Sequence, residues 1–301
     1  MYLKGKTMGT TYNITLVKQV NFIDLTSIKL AIDNRLNTIS SIFSTYIRTS
    51  QVSQFNELKV AQKLKVSPLF IQLFKLAKRI NQLSQGAYDI TIMPLVRLWG
   101  FASSNRNKML DNVIKKNIYE KYLKRNKISL GMQFVRHDKK YIWKTHENIE
   151  LDFSSIAKGY AVDEVANILN TFNIKNYFVE IGGEVKVKGF NEKNSVWRLG
   201  IENPNMESIV GHQGVFAITS LKSNAMATSG NYRNFTFIDG NNYSHIIDAR
   251  SKWPVQNSVL SVTVVGKSCS IIDALATTFM VLGFEKTKKM ALQSKIGVLS
   301  H

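Results

Sequence analysis

Four short blocks constrain this chain's fold more than anything else in it. GAYDITIMPLVRLWGF (86–101), DFSSIAKGYAVDEVA (152–166), SGNYRNFTFIDGNNYSHIIDAR (229–250) and DALATTFMVLG (273–283) crowd together glycine, carboxylate, aromatic and hydroxyl residues. Core packing does not ask for that density. The blocks lie far apart, so a fold that uses them together must return distant segments to one place. That is the pattern of a pocket built on a rigid scaffold.

The intervening sequence supplies the scaffold. Thr10 to Leu16 alternates as a strand, and Ile28 to Ile42 repeats its apolar residues with helical period. Pro68 opens a second amphipathic helix that runs to Leu83 and is closed by Gly86. Gly86 and Pro94 bracket what reads as a turn and short strand. Residues 103–127, rich in Asn and Lys, read as a surface excursion. Tyr141 to Leu151 reads as a hairpin strand, and residues 154–170 as a helix. Strands follow at 177–181, 184–188 and 196–201, with the Gly182–Gly183 pair as a turn. Further strands are expected at 216–219, 234–238 and 258–265, and a buried helix at 270–282. Helices and strands mix without a regular βαβ alternation. The expected class is therefore α+β, with helices packed on largely antiparallel sheets.

Forty Lys and Arg face 21 Asp and Glu, a net charge of +19. Such a surface favours anionic partners, although a lysine-rich solvated exterior explains it equally well. No stretch resembles a nucleic-acid module, and none is a membrane span of about 18 apolar residues. The single cysteine, Cys269, forbids an internal disulfide and reads as a small core residue. The first residues alternate like a strand and contain no apolar h-region. A cytoplasmic form, or a chain whose leader is missing, is expected.

Each block carries a chemical reading beside a structural one. On a helix, Asp273 and Thr277 share a face, and a small Ala276 beside them leaves backbone oxygen accessible. Such oxygens suit a hard cation such as Mg²⁺, while the lack of a His/Cys cluster disfavours zinc. Equally, Asp273 can cap a helix and Thr277 can bond back to its own backbone. Asp152 falls where a strand ends and Ser154 or Ser155 where a helix begins, a place that favours anions. Lys158, one turn in, reaches toward a phosphate or a nucleobase, or is simply an exposed lysine. Tyr88 and Asp89 offer a ring and a carboxylate to a heteroaromatic ligand, but Asp89 can also close an Asx turn. Trp99 and Phe101 read as core. His245 is either structural or a proton acceptor for a hydroxyl nucleophile, since histidine titrates near neutrality. Stronger generic signals are missing: GxGxxG after a strand, GxxxxGK[ST], HExxH and GxSxG do not occur.

Eight segments in order resemble the ApbE family of FAD:protein FMN transferases. They are TMGTTYNI (7–14), STYIRTSQVSQFN (44–56), the blocks at 86–101 and 151–166, YFVEIGGEVKVKG (177–189), ATSGNYRN (227–234), YSHIIDAR (243–250) and SCSIIDALATTFMVLG (268–283). The resemblance implies an ApbE-like, T-fold-related α+β fold over residues 1–290, with the active site between two lobes and 291–301 as a tail. It also implies Mg²⁺-dependent transfer of the FMN half of FAD to a Thr or Ser hydroxyl of an acceptor protein, with release of AMP. Mn²⁺ or Ca²⁺ are the substitutes, and a membrane redox-complex subunit with a flavinylation-type motif is the kind of acceptor.

By match of motifs, Met8 and Tyr46 are implied to contact the flavin. Ala87, Tyr88 and Asp89 are implied to line the nucleotide site, with Asp152, Lys158 and Ile247 at FAD. Ser155, Asp273, Ala276 (through its carbonyl) and Thr277 are implied to hold the metal, and His245 to serve as base. The chain departs from the family pattern in carrying Ser154-Ser155 where a glycine pair is common, and in lacking the leader and lipid-anchoring cysteine of inner-membrane members facing the periplasm. A Mg²⁺-dependent FAD pyrophosphatase and a flavin binder without turnover are the competing readings.

Overall fold

The protein is described here from a computed structural model that covers residues 1–17, 24–102, 128–204, 214–231, 235–238, 241–294 and 297–300. Its centre is a seven-stranded antiparallel sheet. In spatial order the strands are β1 (Tyr2–Thr7), β2 (Thr10–Leu16), β6 (Tyr177–Ile181), β7 (Glu184–Lys188), β10 (Ala225–Gly230), β15 (Ser261–Gly266) and β16 (Gly297–Ser300). Each pairs antiparallel with its neighbours. The segment expected to be a tail thus supplies an edge strand, paired with β15 from Val262↔Ser300 to Val265↔Gly297.

Side chains alternate across this sheet as strand geometry requires. Tyr177, Val179 and Ile181 of β6 join the main core, which they share with buried residues of α1 (Leu25–Phe43), α5 (Ser154–Thr171) and α6 (Cys269–Ser294). On the opposite face Val185, Val187 and Met226 pack with Ile201 and Leu221. Those last two belong to a separate hairpin, β8 (Trp197–Glu202) with β9 (Val215–Leu221). A third cluster joins Leu95, Trp99, Tyr243 and Ile247. It unites α4 (Met93–Leu98), β12 (Asn241–Ser244), which pairs with β11 (Phe235–Ile238), and β13 (Ile247–Asp248), which pairs with β14 (Trp253–Pro254). A small sheet of β3 (Leu64–Lys65), β5 (Tyr141–Lys144) and β4 (Val135–His137) is separate in its hydrogen bonding, but its Ile142 and Val135 join the main core, as do the buried residues of α2 (Gln51–Asn56) and α3 (Pro68–Leu83).

Most expected elements form. α3 spans the expected residues, with the Ser67 side chain accepting from Phe70 N–H and Pro68 in the first turn. Gly86 closes it at φ +81°, its N–H donating to Asn81 O. Three expectations fail. Pro94 does not end a strand; it sits in the first turn of α4, where its missing N–H costs nothing. The strand expected over 141–151 stops at Lys144, whose ammonium turns inward to Asn56 O (3.0 Å) and Ile149 O (3.1 Å). His245 lies in a bend between β12 and β13 rather than in a strand. The expected excursion at 103–127 falls outside the described residues. No described helix is long and apolar enough to cross a membrane.

Candidate active site

A cavity of about 560 Å³ opens where the β6–β7 turn, the end of β10, the first turns of α5 and the middle of α6 meet. That volume suits a small-molecule ligand. All four blocks contribute to its wall: Ala87, Tyr88 and Asp89; Asp152, Ser155 and Lys158; His245 and Ile247; Asp273 and Thr277. Three expected residues do not line it. Tyr46 is 78% exposed in the loop after α1. Met8 sits at the β1–β2 turn and packs partly buried against the main core. The Ala276 side chain is fully buried in α6. A second cavity of about 470 Å³, lined by Tyr243, Asp248, Trp253 and Asn257 among others, shares only Val281 with the first.

Specific hydrogen bonds join the early blocks. The Asn56 amide grips the backbone of Leu151 twice, accepting from its N–H (2.7 Å) and donating to its carbonyl (3.0 Å). The next residue, Asp152, donates its N–H to Ile90 O (2.8 Å), and Ile92 bridges Glu150. Asp152 Oδ1 accepts from the N–H and hydroxyl of Ser154, serving the start of α5. Asp89 does close the Asx turn, accepting from Thr91 N–H (2.8 Å) and Thr91 Oγ1 (2.7 Å), while also lining the cavity. Burial raises its carboxyl above the usual range against those bonds. Ser155 Oγ donates to the Tyr88 hydroxyl (3.1 Å), and burial pushes that phenol far up.

The charged centre depends on close approach of α5 and α6. Gly159 lies against α6 so tightly that a Cβ there would stand 2.4 Å from Cys269 O and 2.7 Å from Asp273 Cβ. The Gly159 N–H donates to Asp273 Oδ2 (2.9 Å). Asp273 is therefore no helix cap: it lies in the second turn of α6. The cap comes instead from Asp163 of α5, which accepts from the N–H groups of Cys269 (3.0 Å) and Ser270 (2.9 Å). Nor does Thr277 bond back. Its hydroxyl meets Ser229 Oγ of β10 (3.1 Å), and it is Thr278 that donates to Ala274 O. Burial pushes the Asp273 carboxyl well above the carboxylate range, and the nearby Glu184 charge adds to this.

Lys158 is not an exposed lysine. Its ammonium lies 2.8 Å from Glu184 Oε1 and 3.5 Å from Gly182 O. Burial works against its charge, but Glu184 and Asp273 outweigh that and hold its pKa above the ordinary value. Glu184 is the residue the sequence reading overlooked. It follows Gly182 (φ +56°) and Gly183 (φ +98°), a pair that reads as a plain hairpin turn yet also forms part of the cavity wall. Thr228, Ser229 and Glu202 line the cavity as well and carry no distinctive spacing. His245 faces the cavity with Phe101 edge-on to its ring (6.3 Å).

The donor set fits a hard cation. Around Asp273 the available ligands are oxygens: its own carboxylate and the hydroxyls of Thr277 and Ser155. Among the described residues no group of three or more His, Cys, Asp or Glu side chains converges. A buried carboxyl with a raised pKa also gains from a cation beside it. One protein carboxylate with hydroxyls and substrate phosphate is a Mg²⁺-type arrangement.

The ApbE family model matches residues 8–299. An FAD:protein FMN transferase of Vibrio cholerae is 38% identical over 299 residues, which is 99% of this chain and 86% of that protein. One from Haemophilus influenzae is 33% identical, covering 98% of this chain and 84% of that protein. Among solved structures, the flavin transferase ApbE from Vibrio cholerae superposes with a TM-score of 0.87 at 38% identity, over 100% of this chain and 92% of that one. The apo flavinyl transferase ApbE of Pseudomonas stutzeri superposes at 0.84 with 31% identity, over 100% and 90% respectively.

Proposed function

The chain belongs to the ApbE family and is a flavin transferase, and on that premise we propose how the cavity described above carries out the transfer. FAD binds there, and a Thr or Ser hydroxyl of an acceptor protein attacks the phosphorus of the FMN phosphate. The hydroxyl oxygen forms a new P–O bond, the P–O bond to the adenylate breaks, and AMP departs with the electron pair. Acceptor and FMN are left joined by a phosphoester.

The residues divide this work. Asp273, Thr277, Ser155 and the Ala276 carbonyl would hold Mg²⁺. When bound, the ion would neutralise charge that builds on the phosphoryl oxygens. Tyr88, Asp89 and Asp152 hold the nucleotide against the wall. Lys158 offers a cation held in place by Glu184, and the start of α5 offers N–H groups to anionic oxygen. His245 takes the proton of the attacking hydroxyl, which is a poor nucleophile on its own. The basic surface favours approach of the dianionic substrate.

One observation carries this reading: a single cavity gathers oxygen ligands on α6, a half-buried lysine on α5 and a histidine from the β12–β13 bend. The test is intact-mass spectrometry of an acceptor bearing a Thr motif, incubated with the protein, FAD and Mg²⁺. A gain of one FMN, lost on chelation, is expected. Free FMN and AMP with an unmodified acceptor would turn the reading to a pyrophosphatase. No change in FAD at all would leave a binder.

A further inference from the structure

Two lysine–carboxylate pairs bridge α5 and β7, and they differ in one respect. In the first, Lys186 Nζ meets Asp163 Oδ1 (2.6 Å), and Asp163 is saturated: Cys269 N–H shares Oδ1, while Ser270 N–H and the hydroxyls of Ser268 and Ser270 reach Oδ2. In the second, Glu184 Oε1 holds the Lys158 ammonium (2.8 Å), but Oε2 has no hydrogen-bond partner among the described residues. The Glu184 side chain is only 2% exposed, so Oε2 is not simply left to bulk solvent. Its residue lines the cavity, whereas Asp163 does not.

A buried carboxylate oxygen without a donor is unfavourable, and scaffolds that need only rigidity satisfy such groups or replace the pair with apolar side chains. The saturated pair two residues along the same strand shows that this fold can do so. Lys158 is likewise incompletely used. An ammonium has three N–H donors, and two of them are directed at Glu184 Oε1 and Gly182 O. Lys158 and Glu184 both line the cavity, and between them they hold a spare donor and a buried acceptor without a partner among the described residues.

We propose that Glu184 is a dinucleotide-binding residue: Oε2 accepts a hydrogen bond from a heteroaromatic N–H of the ligand while Lys158 donates to the neighbouring ring acceptor. This rests on the reading that the cavity takes FAD. Two edges of FAD carry that donor–acceptor pattern, the amine and N1 of adenine and the imide of the flavin. Gly183 leaves the wall bare at this point, since a Cβ there would meet nothing within 4 Å.

The test measures Kd for FAD, AMP and FMN by calorimetry with wild type and Glu184→Gln, together with melting temperatures. Glu184→Gln leaves the Lys158 ammonium without its counter-charge, so the melting temperatures fix the conditions under which the variant stays folded, and binding is measured there. The variant's affinity for FAD should fall on the order of tenfold to a hundredfold, the size of a lost hydrogen bond to a charged group. The loss should follow one fragment, AMP or FMN, and thereby identify the edge. A folding-independent arm uses wild-type protein with 3-methyl-FMN and with the purine riboside monophosphate that lacks the adenine amine. One of the two should bind correspondingly more weakly than its parent. Unchanged FAD affinity in Glu184→Gln, a loss shared by both fragments or by neither, or full affinity for both analogues overturns the proposal. Wild-type protein that binds no FAD overturns the underlying reading instead, and this one with it.

Discussion

A carboxyl buried as Asp273 is stays charged only with help. The Gly159 N–H and the more distant Lys158 charge supply part of it, against burial and the Glu184 charge. The remainder is what a divalent ion would provide. Asp273→Ala is therefore expected to lower FMN transfer on the order of a hundredfold or more, the scale on which a metal stabilises phosphoryl charge. Transfer rates measured by mass across a Mg²⁺ titration check this, and undiminished turnover in the variant would remove Asp273 from the metal site. Asp89 gives a prediction in pH. Burial raises its folded-state pKa above the unfolded value. For an acid shifted that way, the stability cost is absent below the unfolded pKa, grows as pH rises toward the folded one, and is constant above it. Asp89→Asn abolishes the ionisation and keeps an oxygen for the Thr91 N–H. The variant should gain stability relative to wild type between about pH 4 and about pH 7. Urea unfolding at both values tests it, and a gap that does not move means Asp89 ionises alike in both states.

At the scale of elements, legibility followed local chemistry. Helix α3 could be read to the residue because Pro68 and Gly86 mark its ends and its apolar residues keep one period. The expected end of the last helix at Leu282 coincides with a real break: Gly283 takes φ +74°, ψ +176° inside α6, and Asn257 Nδ2 covers the Met280 carbonyl (2.9 Å). What could not be read was contact between elements. Nothing near Asp163 in sequence says that it caps a helix more than a hundred residues later. Gly159, inside a good helix pattern, reads as a mild defect, although it sets the α5–α6 distance. Gly159→Ala forces a methyl into Cys269 O and Asp273 Cβ. It should cost roughly 1–3 kcal/mol, as overpacked cores do, and lower FMN transfer by displacing Asp273. Asp163→Ala should cost about as much or more, since it uncaps α6 and strands Lys186, while leaving the cavity's own groups in place. Denaturant midpoints for the two variants measure both. Transfer activity separates them once each is assayed well below its melting temperature, with Gly159→Ala the more impaired.

Across the whole molecule, the cavity is a long-range object. Its walls come from residues as far apart as Ala87 and Val281, on elements that belong to different hydrophobic clusters. The four blocks announced their joint use through composition, which is why most of the site was legible before any fold was known. Glu184 escaped because its partner, Lys158, lies on another element and because a glycine pair before a strand is ordinary hairpin chemistry. Tyr46 is the converse case: motif order includes it, while its ring is exposed and is not among the residues that line the cavity. A site assembled this way ties ligand binding to the stability of the entire chain, because no wall persists when the others separate. FAD with Mg²⁺ at a hundred times Kd should add about 2.7 kcal/mol, a rise in Tm of roughly 4–5 °C for a chain of this size. The two ligands should also be coupled, each raising Tm more in the presence of the other, since phosphate and Asp273 would share one ion. Asp273→Ala should keep the increment from FAD alone and lose the increment from Mg²⁺. Thermal scans of both proteins with each ligand singly and together decide the matter. Equal Mg²⁺ increments in wild type and variant would mean that the ion binds away from α6.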